Sequence, residues 1–218
     1  MELYLNQTSP YARVARICAI EKQLSQDVNL IWVDPWADDT ALLIANPNGK
    51  IPVLVTDTGE AISESLLIAS YLDGLSSTNS LLRTPDYMDV LALSGLSQGL
   101  TDAAFTTVIN RKHFGKESDS TVLGVRRQKA ITRCLQKLEA MVNTDVMSSD
   151  INLGQIVTGV ALSYIDFRLP ELQWGTVKPL NCWTLFCTKF TPPPPGACIR
   201  HEPWPEWHSH VAEAANAG

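Results

Sequence analysis

The stretch that decides the fold is Asn46-Pro47-Asn48-Gly49-Lys50-Ile51-Pro52-Val53-Leu54. Its first four residues have turn chemistry and end a short helix predicted within 34–45, because the residue before a proline disfavours helical backbone. A strand is predicted over Ile51–Val55, although proline cannot donate to a strand ladder and Pro52 therefore needs a special place near its start. A helix, a turn and a strand in this order favour a mixed α/β domain.

The segments on either side extend this pattern. Glu2–Leu5 and Val28–Val33 are predicted strands, and the helix between them begins at Thr8-Ser9-Pro10, a capping hydroxyl followed by a proline suited to the first turn. Ala61-Ile62 is a very short predicted strand, and Ser63-Glu64-Ser65 opens a helix with apolar residues at helical spacing. The order predicts a sheet whose first pair is parallel and whose final hairpin is antiparallel.

In the second half of the chain, long helical patterns replace the alternation of strands and helices. Gly74–Pro85 is rich in Ser, Thr and Gly, and three long helical patterns follow it over Tyr87–Ile109, Thr121–Val142 and Asn152–Leu169. The third is apolar on most of its circumference, which predicts a place at the centre of its domain. We predict a sheet domain over 1–75, a linker over 76–85 and an all-helical domain over 86–218, with an irregular tail from about 191 where prolines break the pattern.

Composition excludes several classes of protein. The chain has 218 residues, 45% hydrophobic and 18% charged, with a formal net charge of −6, which is globular and lacks the basic excess of a nucleic-acid binder. No run of about 18 apolar residues predicts a membrane span, and the N-terminus is not that of a secretory signal. The five scattered cysteines form no CxxC pair, so a reduced, cytoplasmic protein is expected.

Four segments, taken together and in this order, resemble the glutathione S-transferase family. Thr8–Arg13 resembles its S-P-[YF] helix start, Asn46–Leu54 its NP-x-GK-[VI]-P-x-L loop, Ile62–Leu72 its ES-x-x-I-x-x-Y-L helix and Asn152–Arg168 its buried second-domain helix. The resemblance covers about Met1–Pro179. It implies a thioredoxin-like N-terminal domain on an all-α C-terminal domain, a homodimer, and glutathione as co-substrate with no resident cofactor or metal.

Ser9 is the candidate catalytic residue. Its hydroxyl and the free N–H groups of the first helical turn point at one spot, where a sulfur anion gains a hydrogen bond and the positive end of the helix dipole. Such surroundings lower the pKa of a thiol. The resemblance implies that this thiol is the one of glutathione. The alternative is that Ser9 is only an N-cap. Thr8 offers a neighbouring hydroxyl that can substitute for it.

Six further residues are candidates for glutathione binding, one of them weaker than the rest. Ser65 offers a hydroxyl and an N–H to a carboxylate, and Glu64 offers a negative charge to an ammonium; the γ-glutamyl end of glutathione has both groups. Lys50 suits the glycine carboxylate, with Asn48 a weaker candidate. The resemblance implies a cis peptide before Pro52, which leaves the backbone of Ile51 to pair with the extended tripeptide.

The second domain is expected to supply a pocket for a small hydrophobic electrophile. By position its candidates are Tyr87, Leu91, Leu96, Phe105 and Ile109, with Trp36 from the first domain, although ordinary core packing explains each of them singly.

The segment Asn152-Leu153-Gly154-Gln155 resembles the capping box of the family, with Asn152 as cap and Gln155 reaching back to its N–H. A solvated face is predicted for Arg126, Lys129, Arg133 and Lys137.

Three functions compete on these residues. The leading hypothesis is a cytoplasmic, serine-type transferase, and peroxidase and isomerase activities use the same thiolate. A noncatalytic module for assembly is the alternative, and retention of Ser9 with Glu64 and Ser65 favours the enzyme. The absence of a cysteine near Ser9 disfavours a thiol oxidoreductase. In the tail, the spacing of Cys198, His201, His208 and His210 fits no common zinc pattern.

Overall fold

The computed structural model describes residues 1–77, 80–82, 86–172 and 174. Three predictions from the sequence lie outside the described residues: one more helix, which the pattern allows over 181–190, the tail from about 191, and the cysteine and histidines considered as metal ligands. Among the helices that are described, none is long and apolar enough to cross a membrane.

The N-terminal domain is a four-stranded sheet with helices packed against it. Along the chain its elements are β1 (Glu2–Leu5), α1 (Pro10–Glu21), β2 (Asn29–Trp32), α2 (Thr40–Ala45), β3 (Val53–Val55), β4 (Ala61–Ser63) and α3 (Ser65–Leu75). The strand order is β2-β1-β3-β4. The β1–β2 pair is parallel and the β3–β4 hairpin is antiparallel, as the sequence predicted. β1 also pairs with β3, antiparallel, and the sequence had not specified this pairing. This is the thioredoxin-like arrangement.

The C-terminal domain of the described chain is helical. It contains α4 (Tyr87–Phe114), α5 (Val122–Met141), the short α6 (Asp145–Ser148) and α7 (Leu153–Arg168), with 3-10 turns at Lys116–Ser120 and Pro170–Leu172. The three long helices were predicted, but α4 runs five residues past the predicted end at Ile109 and stops at Gly115, whose φ is +76°. The predicted linker, 76–85, lies between α3 and α4.

Helix α7 lies at the centre of this domain, as predicted. Twelve of its sixteen residues are buried, and it packs closely on α4, because a Cβ added at Gly154 would come within 2.9 Å of the Leu93 side chain. The two helices also share a buried hydrogen bond between the hydroxyls of Ser97 and Thr158, 2.7 Å apart. A larger residue at 154 therefore requires α7 to move away from α4.

The N-terminus of α7 differs in one detail from the prediction. The Asn152 side chain caps the helix by accepting from the N–H of Gln155 at 3.0 Å. The Gln155 amide nitrogen donates to the carbonyls of Val146 (2.9 Å) and Ser149 (3.3 Å) instead of reaching back to the cap. The pair therefore fastens α6 and the following turn onto α7, a tertiary contact that local spacing does not encode.

A buried ion pair joins α1 and α3 to the connecting segment. The Lys22 ammonium lies 3.0 Å from the Asp73 carboxylate, and both side chains are almost completely buried. Asp73 also accepts from the Leu81 N–H (2.7 Å) and the Ser80 hydroxyl (2.9 Å). The carbonyl of Leu81 accepts from the N–H of Leu153 at 2.9 Å. One carboxylate thus links the sheet domain to the segment that leads into the helical domain.

Candidate functional site

The sheet register places three predicted site segments at one end of the sheet. Tyr4 pairs with Val53, and Val53 pairs with Ser63. The carboxyl end of β1 therefore lies beside the amino end of β3 and the carboxyl end of β4. The chain leaves β1 toward Ser9, enters β3 from Ile51-Pro52 and leaves β4 toward Glu64 and Ser65. The topology brings these residues together, although more than fifty positions separate the first from the last.

Ser9 is the N-cap of α1. Its side chain is buried, and its Oγ accepts a hydrogen bond from the N–H of Ala12 at 3.2 Å. That bond uses the hydroxyl oxygen as acceptor and leaves its hydrogen available to donate. Pro10 occupies the first turn, as predicted. The geometry therefore serves both readings of Ser9, since a serine can cap a helix and donate to an anion at the same time.

The loop before β3 is held by a residue that the sequence analysis treated only as a turn former. Asn46 is buried; its Oδ1 accepts from the N–H of Asn48 at 3.1 Å, and its Nδ2 donates to the carbonyl of Lys50 at 2.8 Å. The side chain of Lys50 is exposed. The Ile51–Pro52 peptide is cis, as predicted. The backbone N–H and carbonyl of Ile51 have no hydrogen-bond partner in the described part of the chain.

Glu64 and Ser65 form the start of α3. Ser65 is buried, Glu64 is exposed, and Glu64 has a φ of 71°, which is unusual for a residue other than glycine. The carbonyl of Glu64 accepts from the N–H groups of Leu67 and Ile68, both at 3.0 Å. The hydroxyl and N–H of Ser65 have no partner among the residues described. This helix start thus presents donors beside a carboxylate, as an amino-acid ligand requires.

Tyr11 is the contact between the two domains that sequence reasoning missed. Its hydroxyl donates to Oδ1 of Asp102 on α4 at 2.8 Å, and its ring meets that of Phe105 edge to face at 5.4 Å. Burial, followed by the Asp102 hydrogen bond, raises the pKa of Tyr11, with a smaller contribution from the charge of Glu64. The phenol therefore stays protonated and donates.

The aromatic contacts continue into the helical domain. Phe105 lies 6.5 Å from the ring of Tyr164 on α7, and burial raises the pKa of Tyr164 to about 12, although the charge of Arg168 opposes the effect. Three aromatic rings, from α1, α4 and α7, thus form a row that begins two residues from Ser9. Of the predicted pocket residues, Phe105 belongs to this row.

The other predicted pocket residues are spread along α4 and the loop after β2. Leu96 and Ile109 are partly buried, whereas Tyr87 and Leu91 are exposed at the other end of α4 from Phe114. Trp36 is 60% exposed and lies against the far end of that helix, 5.4 Å from the His113 ring and 5.4 Å from the Lys112 ammonium. Tyr87 and Leu91 therefore lie about six turns or more from the Trp36 contact.

The cysteines in the described part of the chain do not form a thiol centre. Cys18 and Cys134 are free. Burial raises the pKa of the Cys18 thiol, which is completely enclosed. Burial also raises the pKa of Cys134, against a weaker opposite effect of Arg133. Thiols with raised pKa are poor nucleophiles.

The four basic residues predicted to form a solvated face of α5 are all exposed: Arg126, Lys129, Arg133 and Lys137.

Comparison with known proteins places this site in a family. Residues 8–75 match the model of the glutathione S-transferase N-terminal domain. The chain is 29% identical over 184 residues, 82% of this chain and 89% of the other, to YibF, an uncharacterized GST-like protein of Escherichia coli K12.

Solved structures agree with this over most of the chain. A glutathione transferase family member from Pseudomonas fluorescens Pf-5, with bound glutathione, is 30% identical with a TM-score of 0.77, covering 88% of this chain and 95% of that one. A glutathione S-transferase from Methylobacterium radiotolerans, in complex with glutathione sulfonate, is 28% identical with a TM-score of 0.76, covering 88% and 91%. The chain belongs to the glutathione S-transferase family.

Proposed function

We propose that this protein is a serine-type glutathione transferase that activates the thiol of glutathione for attack on small electrophiles. The observation that carries the proposal is the Ser9 hydroxyl at the start of α1, whose oxygen accepts from Ala12 and whose hydrogen is available to a sulfur anion. The Pseudomonas and Methylobacterium relatives, which bind glutathione and glutathione sulfonate, support the choice of ligand.

The chemistry that we infer needs few protein groups. The thiol of glutathione loses its proton to solvent, and the resulting thiolate accepts a hydrogen bond from Ser9 near the positive end of α1. The sulfur then forms a bond to the electrophilic carbon while the leaving group departs with the electrons of its own bond. By lowering the pKa of the thiol, the site increases the fraction of thiolate at neutral pH.

The rest of the tripeptide follows the sheet edge in this proposal. The unpartnered backbone of Ile51 pairs with the cysteinyl backbone, and Pro52 fixes the chain beside it. Ser65 binds the γ-glutamyl carboxylate through its hydroxyl and N–H, while Glu64 binds the ammonium. Lys50 reaches the glycine carboxylate from its exposed position, and Thr8 lines the sulfur end. The electrophile lies against the row of Tyr11, Phe105 and Tyr164.

A direct experiment tests this function. Glutathione is titrated into the wild-type protein by calorimetry, and the ultraviolet absorbance of the thiolate is followed against pH. We expect binding and a thiol midpoint below the value for free glutathione, and turnover in a screen of electrophiles, hydroperoxides and isomerisable substrates then separates transferase, peroxidase and isomerase activity. Binding with an unchanged midpoint favours the noncatalytic module, and no binding removes the ligand assignment.

The backbone of Glu64 gives a prediction that separates binding from stability. Replacing Glu64 with glycine removes the cost of a positive φ, which is about 1–3 kcal/mol for other residues, but also removes the carboxylate. We expect Glu64→Gly to raise the free energy of unfolding by about 1 kcal/mol, after the greater chain entropy of glycine is counted, and to weaken glutathione binding. Urea denaturation and calorimetry measure the two effects.

The matched control is Glu64→Gln, which keeps the size of the side chain and the backbone cost. It is expected to weaken glutathione binding as glycine does, without the gain in stability. Wild-type affinity in Glu64→Gln would show that the charge is not used for the ammonium.

We also propose a homodimer, in a cytoplasmic role such as detoxification. Large apolar side chains are exposed on α3 and on the first turns of α4: Leu67 is 60% exposed, Met88 73% and Leu91 40%. Large exposed apolar side chains of this kind are typical of an interface between copies. The two free cysteines of the described chain are consistent with a reducing compartment.

The dimer is tested by light scattering. We expect twice the chain mass of 24.0 kDa, and a single-chain mass for the double variant Leu67→Lys, Met88→Lys, because two buried lysines oppose association. The control is Val122→Lys, since Val122 is 86% exposed at the start of α5, and it is expected to leave the mass at twice that of the chain. A wild-type protein with the mass of one chain contradicts the proposal.

A further inference from the structure

Asn6 organises the loop between β1 and the start of α1. Its side-chain Oδ1 accepts two hydrogen bonds from the backbone, one from the N–H of Thr8 at 3.1 Å and one from the N–H of Ser9 at 2.9 Å. The residue is partly buried. A side-chain oxygen that accepts from the backbone two and three residues ahead fixes the path of the chain.

The bonds around Ser9 determine which donors remain at the start of α1. The N–H of Ser9 is taken by Asn6, the N–H of Ala12 by the Ser9 hydroxyl and the N–H of Arg13 by the Ser9 carbonyl at 3.1 Å. Pro10 has no N–H. Among the N–H groups of residues 9–13 and the Ser9 hydroxyl, the donors without a partner in the described part of the chain are the N–H of Tyr11 and the hydroxyl hydrogen of Ser9.

We propose that Asn6 is a positioning residue for the thiolate. This inference rests on the proposed function of this site. It holds the backbone of Ser9 from the amino side while the Arg13 N–H holds the Ser9 carbonyl from the other. The Ser9 hydroxyl and the Tyr11 N–H are thereby fixed as a pair of donors to one sulfur. Asn6 does not contact the sulfur and acts through Ser9 and Tyr11.

The chemical type of residue 6 is part of the inference. An aspartate makes the same two accepting bonds but places a negative charge behind the residue that binds the thiolate. Like charges oppose ionisation, so an aspartate raises the pKa of the thiol. An amide supplies the acceptor without that charge. Asparagine therefore combines loop closure with an anion site, which neither alanine nor aspartate does.

Three variants, each compared with wild type, test the proposal by thiolate absorbance against pH and by steady-state kinetics with glutathione. Asn6→Ala loses the acceptor, and we expect its thiol midpoint to move toward that of free glutathione and its kcat/KM to fall about tenfold. Asn6→Ser keeps a shorter neutral acceptor and is expected to recover part of both. Asn6→Asp is expected to keep the KM for glutathione near wild type while raising the thiol midpoint.

The outcomes separate this proposal from the proposed function. A wild-type protein that binds no glutathione, or does not lower its thiol midpoint, contradicts the function of the site itself. A wild-type midpoint that is lowered, and equally lowered in the alanine and aspartate variants, overturns the role of Asn6 and leaves the function standing. If Asn6→Ala does not fold, the serine and aspartate variants decide, because a wild-type thiol midpoint in both overturns the role of Asn6.

Discussion

Replacing Ser9 with alanine is expected to raise the pKa of the bound glutathione thiol toward the free value, near 8.5 for a cysteine thiol. It is also expected to lower kcat/KM for an electrophile. A hydrogen bond to a charged acceptor contributes about 1.5–3 kcal/mol, and 1.4 kcal/mol corresponds to tenfold. The expected loss is therefore about ten- to hundredfold. Thiolate absorbance against pH and initial rates at limiting glutathione measure the two effects.

The same substitution removes a helix cap, and this needs its own control. Ser9 Oγ accepts from the Ala12 N–H, and loss of such a cap costs about 1 kcal/mol of stability. Thr121 caps α5 in the same way, accepting from the N–H of Gly124 at 3.1 Å. Thr121→Ala is expected to lower the free energy of unfolding by a similar amount while leaving the thiol pKa and kcat/KM at their wild-type values.

A second variant, at Thr8, is needed if the result contradicts the role of Ser9. If Ser9→Ala keeps the wild-type thiol midpoint, Ser9 is only a cap. Thr8→Ala then decides whether the neighbouring hydroxyl binds the sulfur, because a raised midpoint in that variant would assign the role to Thr8. If neither variant moves the midpoint, no serine-type activation takes place.

The sheet of this protein was predictable because its signals are local. The turn at Asn46–Gly49, the proline at the start of β3 and the short hairpin into α3 each depend on residues within a few positions of one another. The directions of the first strand pair and of the final hairpin then follow from chain connectivity, whereas the pairing of β1 with β3 was not predicted. The position of α7 was predictable for a different reason, since a helix that is apolar all round has to be buried.

The parts that were missed depend on contacts between distant segments. Tyr11 and Asp102 are 91 positions apart, and nothing in the spacing around either residue marks the other. The positive φ of Glu64 is imposed by the joining of β4 to α3, because glutamate has no preference for that conformation. Gln155 was read as a cap residue, but the bonds of its amide to the carbonyls of Val146 and Ser149 join α7 to α6 and the turn after it and appear only in the folded chain. The bonds of Asn46 to Asn48 and Lys50 are local, but turn chemistry alone did not specify them.

Replacing Asp73 with asparagine is expected to have the largest effect on stability. The Asp73 carboxylate is almost completely buried beside the Lys22 ammonium, at 3.0 Å. Removing one partner of a buried ion pair takes the carboxylate charge away from the buried ammonium and costs about 3–5 kcal/mol. Urea denaturation of Asp73→Asn is expected to show a loss in that range. Ser80→Ala, which removes one hydroxyl from the same carboxylate, is the control and is expected to cost about 1 kcal/mol.

The effect of Asp73→Asn depends on pH in a direction that the contacts determine. Burial alone raises the pKa of Asp73, but the Leu81 N–H, the Lys22 ammonium and the Ser80 hydroxyl together hold it below its ordinary value. The ionised carboxylate therefore stabilises the fold at neutral pH, and this contribution is lost as the pH falls through the lowered pKa, below about pH 4. The difference between wild type and Asp73→Asn should shrink over that acid range.

A double variant separates the charge from the packing. Lys22→Met in the Asp73→Asn background removes the buried ammonium charge. We expect it to recover part of the lost stability, because the cost of Asp73→Asn comes from burying that ammonium without the carboxylate charge beside it. If Lys22→Met instead adds fully to the loss, the two side chains act independently. Asp73 would then hold the connecting segment through Leu81 and Ser80 alone, and the ion pair would contribute nothing to the joining of the two domains.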